Sequence, residues 1–377
     1  MTARIAFVIE QALGHVAYGM GLKEALADRR DLEGVWIEVP YSLGSFGRVP
    51  YIGPNWTLRG SARAWKRIRK AHRERPLDAL FLHTQTVSLF AGAQMGRIPT
   101  LLSLDATPKN LDEIGGSYAH AVGGKVLEGL KLMAHRRVMR RAERFTTWSN
   151  WAKESLVRDY GAPAEMVTVI HPGTVLSNFP SPDTREASRE RPLRVLFVGG
   201  DFVRKGGDLL LDVYRAHLRG KVELHLVTAA DIREEEGVRV YRGLKPHSPE
   251  LLQRYRDADV FVLPTRGDCL AVVLGEAMAS CLPIITTRVG AHPEAVEDGK
   301  SGYVLAVDDA EGLRQSLERM AADRALVAEM GRRSRRIGEE RFDMHKNANQ
   351  IADILVDLSR RGAQVSHRVA ETARAVG

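Results

Sequence analysis

The sequence predicts an α/β protein made of two doubly wound, Rossmann-like domains in tandem. Three observations lead there. A chain of 377 residues, 44% of them hydrophobic, is too long for one ordinary core and suits two domains of roughly 150–200 residues. Short apolar runs of the kind buried on both faces of a parallel sheet alternate with helical patterns along it. A polar, proline-bearing stretch over 177–192 interrupts this alternation, which then restarts.

The expected first domain, 1–176, opens on the strand ARIAFVIE. A small-residue turn with Gly14 and His15 follows, then a helical pattern through Leu26. VWIEVP, LDALFLH, PTLLSLD, RFTTWS and a last run beginning MVTVI read as further strands. After the linker the second domain, 193–345, begins with the strand LRVLFVGG and the helix DLLLDVYRAH. VELHLVT, VRVYRGL, DVFVLPT, PIITT and GYVLAV continue it as strands. The helices of 346–377 are expected to pack back across the junction. Ligands of open α/β sheets bind outside the carboxyl ends of the strands, so two such domains facing each other would form a central cleft between those ends.

The N-terminus lacks the apolar core and cleavage site of a secretory signal, and no apolar run approaches about 18 residues. Cys269 and Cys281 are too few for a disulfide framework or a closed zinc site. The expected location is cytoplasmic. The net charge of +8 gathers in RGSARAWKRIRKAHRER (59–75) and KLMAHRRVMRRAER (131–144). These read either as solvated helix faces or as an electropositive half that meets anionic lipid headgroups or an anionic acceptor, peripherally on the inner face of a membrane. No zinc finger, helix-turn-helix or stacking-aromatic signature accompanies them, so a nucleic-acid partner is not expected.

Two stretches could carry chemistry. In GGDFVRKGGD (199–208) a strand ends at Val198, and a loop bounded by Gly199 and Gly200 carries Arg204 and Lys205 toward a helix. Glycines let backbone approach a ligand closely, and the adjacent cations could neutralise a diphosphate. An exposed turn with solvated basic residues explains the same pattern; the spacing of a Walker A loop is absent. In TRGDCLAVVLGEAMASCLP (265–283) a strand ends at Thr265, a turn carries Asp268, and a helix is expected from about Leu270. Its first N–H groups would be free for an anion. Glu276, about six residues in, would lie roughly 9 Å along the axis, a separation that suits a nucleotide laid along the helix. The plainer reading makes Asp268 a cap and pairs Glu276 with a buried arginine.

An acid, seven residues, Glu276, then Ala-Met-Ala-x-x-Leu-Pro and a strand resembles the Glu-x7-Glu signature of the family-4 retaining glycosyltransferases. TTRVGAHPE, DGKSGYVLAVDD, GGDFVRKGGD and VIHPGTVLSNF resemble further segments of that family, together covering most of 165–310. The resemblance implies the two-domain GT-B fold, a nucleotide-sugar donor (UDP-, GDP- or ADP-linked) in the C-terminal domain, and an acceptor in the N-terminal one. It also implies transfer with retention, with no cofactor and no metal. Carried over, Lys205 and nearby Arg204 would bind pyrophosphate and Glu276 the ribose. Asp268 with the backbone of Cys269, Leu270 and Ala271 would hold sugar and phosphates, and the backbone around Arg242 and Leu244 would meet the base.

The chain departs from the family at three places. Asp268 stands where glutamate is usual. Gly200 replaces an arginine, whose charge Arg204 could supply. Asp105 replaces a histidine of the N-terminal domain and could orient a hydroxyl or stabilise positive charge at the anomeric carbon. Gly14, His15 and His83 are assigned to the acceptor side, and YSLGSFGRVPYIGPNW (41–56) reads as a loop that meets a sugar, a lipid interface or the domain itself. The acceptor would be a glycan, glycolipid or small molecule. A nucleotide-sugar-binding protein without activity, or a GT-B-fold epimerase, are the alternatives.

Overall fold

The computed structural model of the chain describes residues 2–12, 14–42, 55–118, 124–179 and 191–376. Most of the expected linker, 177–192, and of the aromatic loop, 41–56, lies outside them. The chain divides into two compact units. One comprises Met1–Lys109, Val122–His171 and His345–Gly377; the other comprises Asn110–Ala121 and Pro172–Met344.

The first unit holds a parallel sheet of β1 (Ala3–Gln11), β2 (Leu32–Pro40), β3 (Ala79–His83), β4 (Thr100–Leu104), β5 (Arg144–Thr147) and β6 (Val167–Val169), in the order β2-β1-β3-β4-β5-β6. β3 and β4 are buried along their whole length because helices cover both faces, and this is why they read as continuous apolar runs. The helix Met344–Val376 completes this unit: Ile351 and Leu355 are buried, and Arg29 donates to Asn349 Oδ1 and pairs with Asp353 Oδ1, both at 2.9 Å.

The second unit repeats the plan with β7 (Leu193–Val198), β8 (Val222–Val227), β9 (Val238–Tyr241), β10 (Val260–Leu263), β11 (Ile284–Thr287) and β12 (Gly302–Leu305), in the order β12-β11-β10-β7-β8-β9. Every run read as a strand in the sequence forms one. In each unit the chain builds outward on one side of its first strand, then returns to the other side. The strand order therefore reverses between β1 and β3 in the first unit and between β7 and β10 in the second. The loops that leave those strands border the crevice where such sheets take ligands.

Candidate active site

At the β7/β10 switch point the loop 199–206 is laced to the loop 264–271. Arg266 N–H donates to Arg204 O at 2.8 Å, and the Thr265 hydroxyl, fully buried, donates to the same oxygen at 3.2 Å. Gly206 makes the close approach possible. Its φ is +76°, and a Cβ there would stand 2.0 Å from Pro264 O. Arg204 is buried and turned into the protein, its Nη1 donating to Gly267 O at 2.7 Å and its Nε to Asp201 Oδ2 at 3.1 Å. It braces the loop that presents Asp268.

Lys205 Nζ pairs with Asp268 Oδ2, and both side chains are largely buried. Burial opposes charge on Asp268, but Lys205 outweighs it and holds the carboxyl below its usual range. A Cβ at Gly199 would stand 3.1 Å from the Lys205 stem, whereas Gly200 is exposed and a Cβ there would meet nothing within 4 Å.

The helix begins at Val272, later than expected, and is capped by Ala271 in an extended conformation with no side-chain cap. Its position is set by His292, which is wholly buried. Ala271 N–H donates to His292 Nε2 at 3.3 Å, while His292 Nδ1 is 2.7 Å from Thr286 Oγ1, which donates to Leu263 O at 3.0 Å. Nε2 therefore accepts and Nδ1 carries the proton, giving a neutral ring with a fixed tautomer. Burial lowers the His292 pKa to about 4 against the pull of Asp268, whose Oδ2 is 4.0 Å from Nε2. The Ala271 amide expected to meet phosphate is thus engaged by His292. Cys269 and Leu270 are buried beside it, and Cys269 O accepts from Ala291 N–H at 2.8 Å.

Glu276 is buried within this helix, and its partner is Tyr255, whose hydroxyl donates to Oε2 at 2.6 Å; no arginine fills that role. Arg242 and Leu244 follow β9, at the sheet edge beyond β8. Arg242 is exposed and donates to Ile232 O at 2.6 Å rather than joining the Lys205–Asp268 pair.

At the β1/β3 switch point His15, beside Gly14 at the start of the helix His15–Ala25, stands between two carboxylates. Its Nε2 is 3.2 Å from Asp105 Oδ2 and its Nδ1 is 2.8 Å from Glu10 Oε1. Burial alone would lower the His15 pKa, yet Asp105 and Glu10 together raise it to about 10. Asp105 is correspondingly held below the usual carboxylate range, burial being outweighed by His15. His83, fully buried, stacks on Trp148 at 5.0 Å and meets the edge of His15 at 4.7 Å. Burial and the His15 charge push its pKa down to about 3, so it is neutral beside a cation.

Glu10, Tyr255 and His292 escaped the sequence reading. Glu10 carries the same signal as Glu276, an acid inside an apolar run. Nothing in the string RYRD marks Tyr255, and His292 lies in the family-like segment TTRVGAHPE, which assigned it no role. Among the described residues no group of three or more His, Cys, Asp or Glu could hold a metal ion.

The C-terminal unit matches the model of the glycosyl transferases group 1 over residues 192–323, and the N-terminal unit matches the glycosyl transferase 4-like domain over 16–173. The chain belongs to the group 1 glycosyltransferases. Its α/β two-domain fold is of the GT-B type. The D-inositol 3-phosphate glycosyltransferase of Streptomyces bingchenggensis is 29% identical over 257 residues, which are 61% of this chain and 56% of that protein. The chain thus spans little more than half the length of that curated relative. Among solved structures, sucrose-phosphate synthase from Thermosynechococcus elongatus superposes with a TM-score of 0.74 at 18% identity, covering 94% of this chain and 99% of that one. Anabaena Alr3699/HepE in complex with UDP and glucose superposes with a TM-score of 0.69 at 16% identity, covering 94% and 100%. At such identities these two likenesses carry the fold.

Proposed function

We propose that this group 1 glycosyltransferase transfers a sugar with retention from a nucleoside-diphosphate sugar to a hydroxyl acceptor, without a metal. The observation that carries the reading is the pairing of Lys205 with Asp268 at the β7/β10 switch point, with Glu276 eight residues on in the same segment. Lys205 binds the diphosphate and Asp268 accepts from sugar hydroxyls, both exchanging their mutual ion pair for the donor. Tyr255 occupies Glu276 Oε2, which leaves Oε1 for the ribose. Arg204 adds fixed positive charge behind the loop. The bond between the anomeric carbon and the diphosphate oxygen breaks, and its electron pair leaves on the phosphate. The acceptor oxygen bonds to the same face of that carbon, and its proton passes to the leaving phosphate. Lys205 stabilises the growing negative charge by preorganised electrostatics.

In the N-terminal unit Asp105, the most exposed member of the Glu10–His15–Asp105 cluster, orients a reacting hydroxyl. UDP in the Anabaena complex and the inositol phosphate named for the Streptomyces relative support a nucleotide donor and a polyol acceptor. A cytoplasmic site of action, at the inner face of a membrane, belongs to the same reading.

Incubating the protein with labelled UDP-, GDP- and ADP-sugars, with and without cell extract, tests it. Acceptor-dependent release of nucleoside diphosphate is expected. An altered sugar nucleotide without acceptor would replace the reading with epimerisation, and binding without turnover would replace it with a binding protein.

A further inference from the structure

We propose that the N-terminal unit docks on an anionic lipid bilayer through one face formed by the helices Lys125–Met139 and Trp56–Glu74. The proposal extends the reading above, in which the acceptor is reached at a membrane, and its own evidence is the surface. On Lys125–Met139, Val126 is 80% exposed, Leu127 51%, Leu130 54% and Met133 59%. Val126, Leu130 and Met133 recur at helical spacing, so they share a stripe that Leu127 widens. Large aliphatic side chains side by side in water mark an interaction surface, whereas scattered ones do not. Val138, in line with Leu127 but three turns on, and Met139, on another side, are buried and hold the C-terminal end of the helix to the unit.

The stripe changes character along its length. Arg137 continues it toward the C-terminal end, Lys131 lies at its edge, and Arg140 and Arg141 follow just past the helix end, all four exposed. Arg141 Nη1 donates to Gly92 O at 2.9 Å, which joins the stripe to the segment bearing Phe90, 41% exposed. Gln94 in that segment accepts from the Trp65 indole N–H at 3.1 Å, which brings in the second helix. There Trp65 is exposed beside Lys66, Arg69 and Lys70, with the Arg69 guanidinium 5.4 Å over its ring.

Aliphatic groups to enter the acyl boundary, tryptophan at its level and lysine and arginine around them are the chemistry of a helix lying in an anionic interface. The charge selects that occupant. A protein interface of this kind is depleted of lysine at its core, whereas each basic residue near an anionic leaflet strengthens adsorption about fivefold. No helix among the described residues is long and apolar enough to cross a membrane, so the contact is peripheral.

The full chain is to be sedimented with vesicles of phosphatidylcholine alone and of phosphatidylcholine with phosphatidylglycerol, at low and high salt. Binding to the anionic vesicles at low salt is expected, weakened at least tenfold by high salt and by removal of the anionic lipid. The pair Leu130→Glu and Met133→Glu, both at exposed positions, should weaken it at least tenfold with an unchanged circular dichroism spectrum. So should Arg137→Glu with Arg140→Glu. Absence of binding to anionic vesicles, or wild-type binding by the Leu130→Glu/Met133→Glu protein, overturns the proposal. So does a dimer in gel filtration that the same pair converts to monomer, since a second copy would then cover the stripe. Nucleotide binding, measured on the same variants without vesicles, reports on the transfer reading separately and is expected to be unchanged.

Discussion

The phenol of Tyr255 donates to Glu276 Oε2 at 2.6 Å, and both side chains are buried in the C-terminal unit. Burial pushes the Glu276 carboxyl above its usual range, and the Tyr255 bond pulls it back. A carboxylate so placed has one oxygen fixed and one to offer.

Tyr255→Phe removes the group that favours the ionised carboxyl. Nucleotide binding is expected to weaken by about 1–2 kcal/mol. The Glu276 pKa rises further, so at a given pH less of it is ionised and the acid limb of binding moves to higher pH. Calorimetric titration with nucleoside diphosphates at several pH values checks both effects.

Lys205→Met should leave Asp268 buried without its counter-ion and cost about 3–5 kcal/mol of stability. Asp268 is depressed in the folded chain, so the stability it contributes is present above its unfolded pKa and lost as pH falls through the folded one. Removing Lys205 leaves burial as the largest influence on the carboxyl, so that dependence reverses and the variant gains stability as Asp268 protonates. Lys205→Met with Asp268→Leu should recover most of the loss in urea unfolding, because the desolvated charge is then gone.

The N-terminal unit should respond to pH in opposite senses through two adjacent histidines. His15 is raised to about 10, so its contribution is complete below pH 6.5 and lost as pH rises toward 10, on the order of 5 kcal/mol in all. His83 is lowered to about 3, so its contribution is present above 6.5 and lost as pH falls toward 3. His15→Gln should flatten the alkaline limb of a melting-temperature profile and also lessen the acid limb, because the His15 charge helps hold His83 and Asp105 low. NMR of the ring carbons should find His15 protonated at pH 8.

Gly206→Ala should destabilise the C-terminal unit by about 2 kcal/mol or more, through the 2.0 Å clash with Pro264 O at φ +76°. Gly200→Ala, with nothing within 4 Å, should cost little in the same thermal-shift measurement.

The strands were legible in the sequence because burial on both faces leaves no polar alternation to mislead, as in LDALFLH and DVFVLPT. The start of the helix at Val272 was not, because it depends on His292, 21 residues on, which takes the Ala271 amide. The same limit hid the partners of the acids. Glu276 could be recognised as an acid in need of a partner, but Tyr255 lies on another helix. Asp105 looked like a bare replacement for a histidine, yet the fold supplies His15 from 90 residues away. Side chains that meet across a switch point are set by strand order, which no local pattern encodes.

The helix Met344–Val376 has a consequence for the order of assembly. It is the last piece of the unit that Ala3–Gln11 begins. During synthesis, every segment of the C-terminal unit has been made before that helix emerges. The half of the protein that starts folding first is therefore the one that finishes last. Until then the surface later covered by Ile351 and Leu355 is open to water, and to whatever attends a nascent chain.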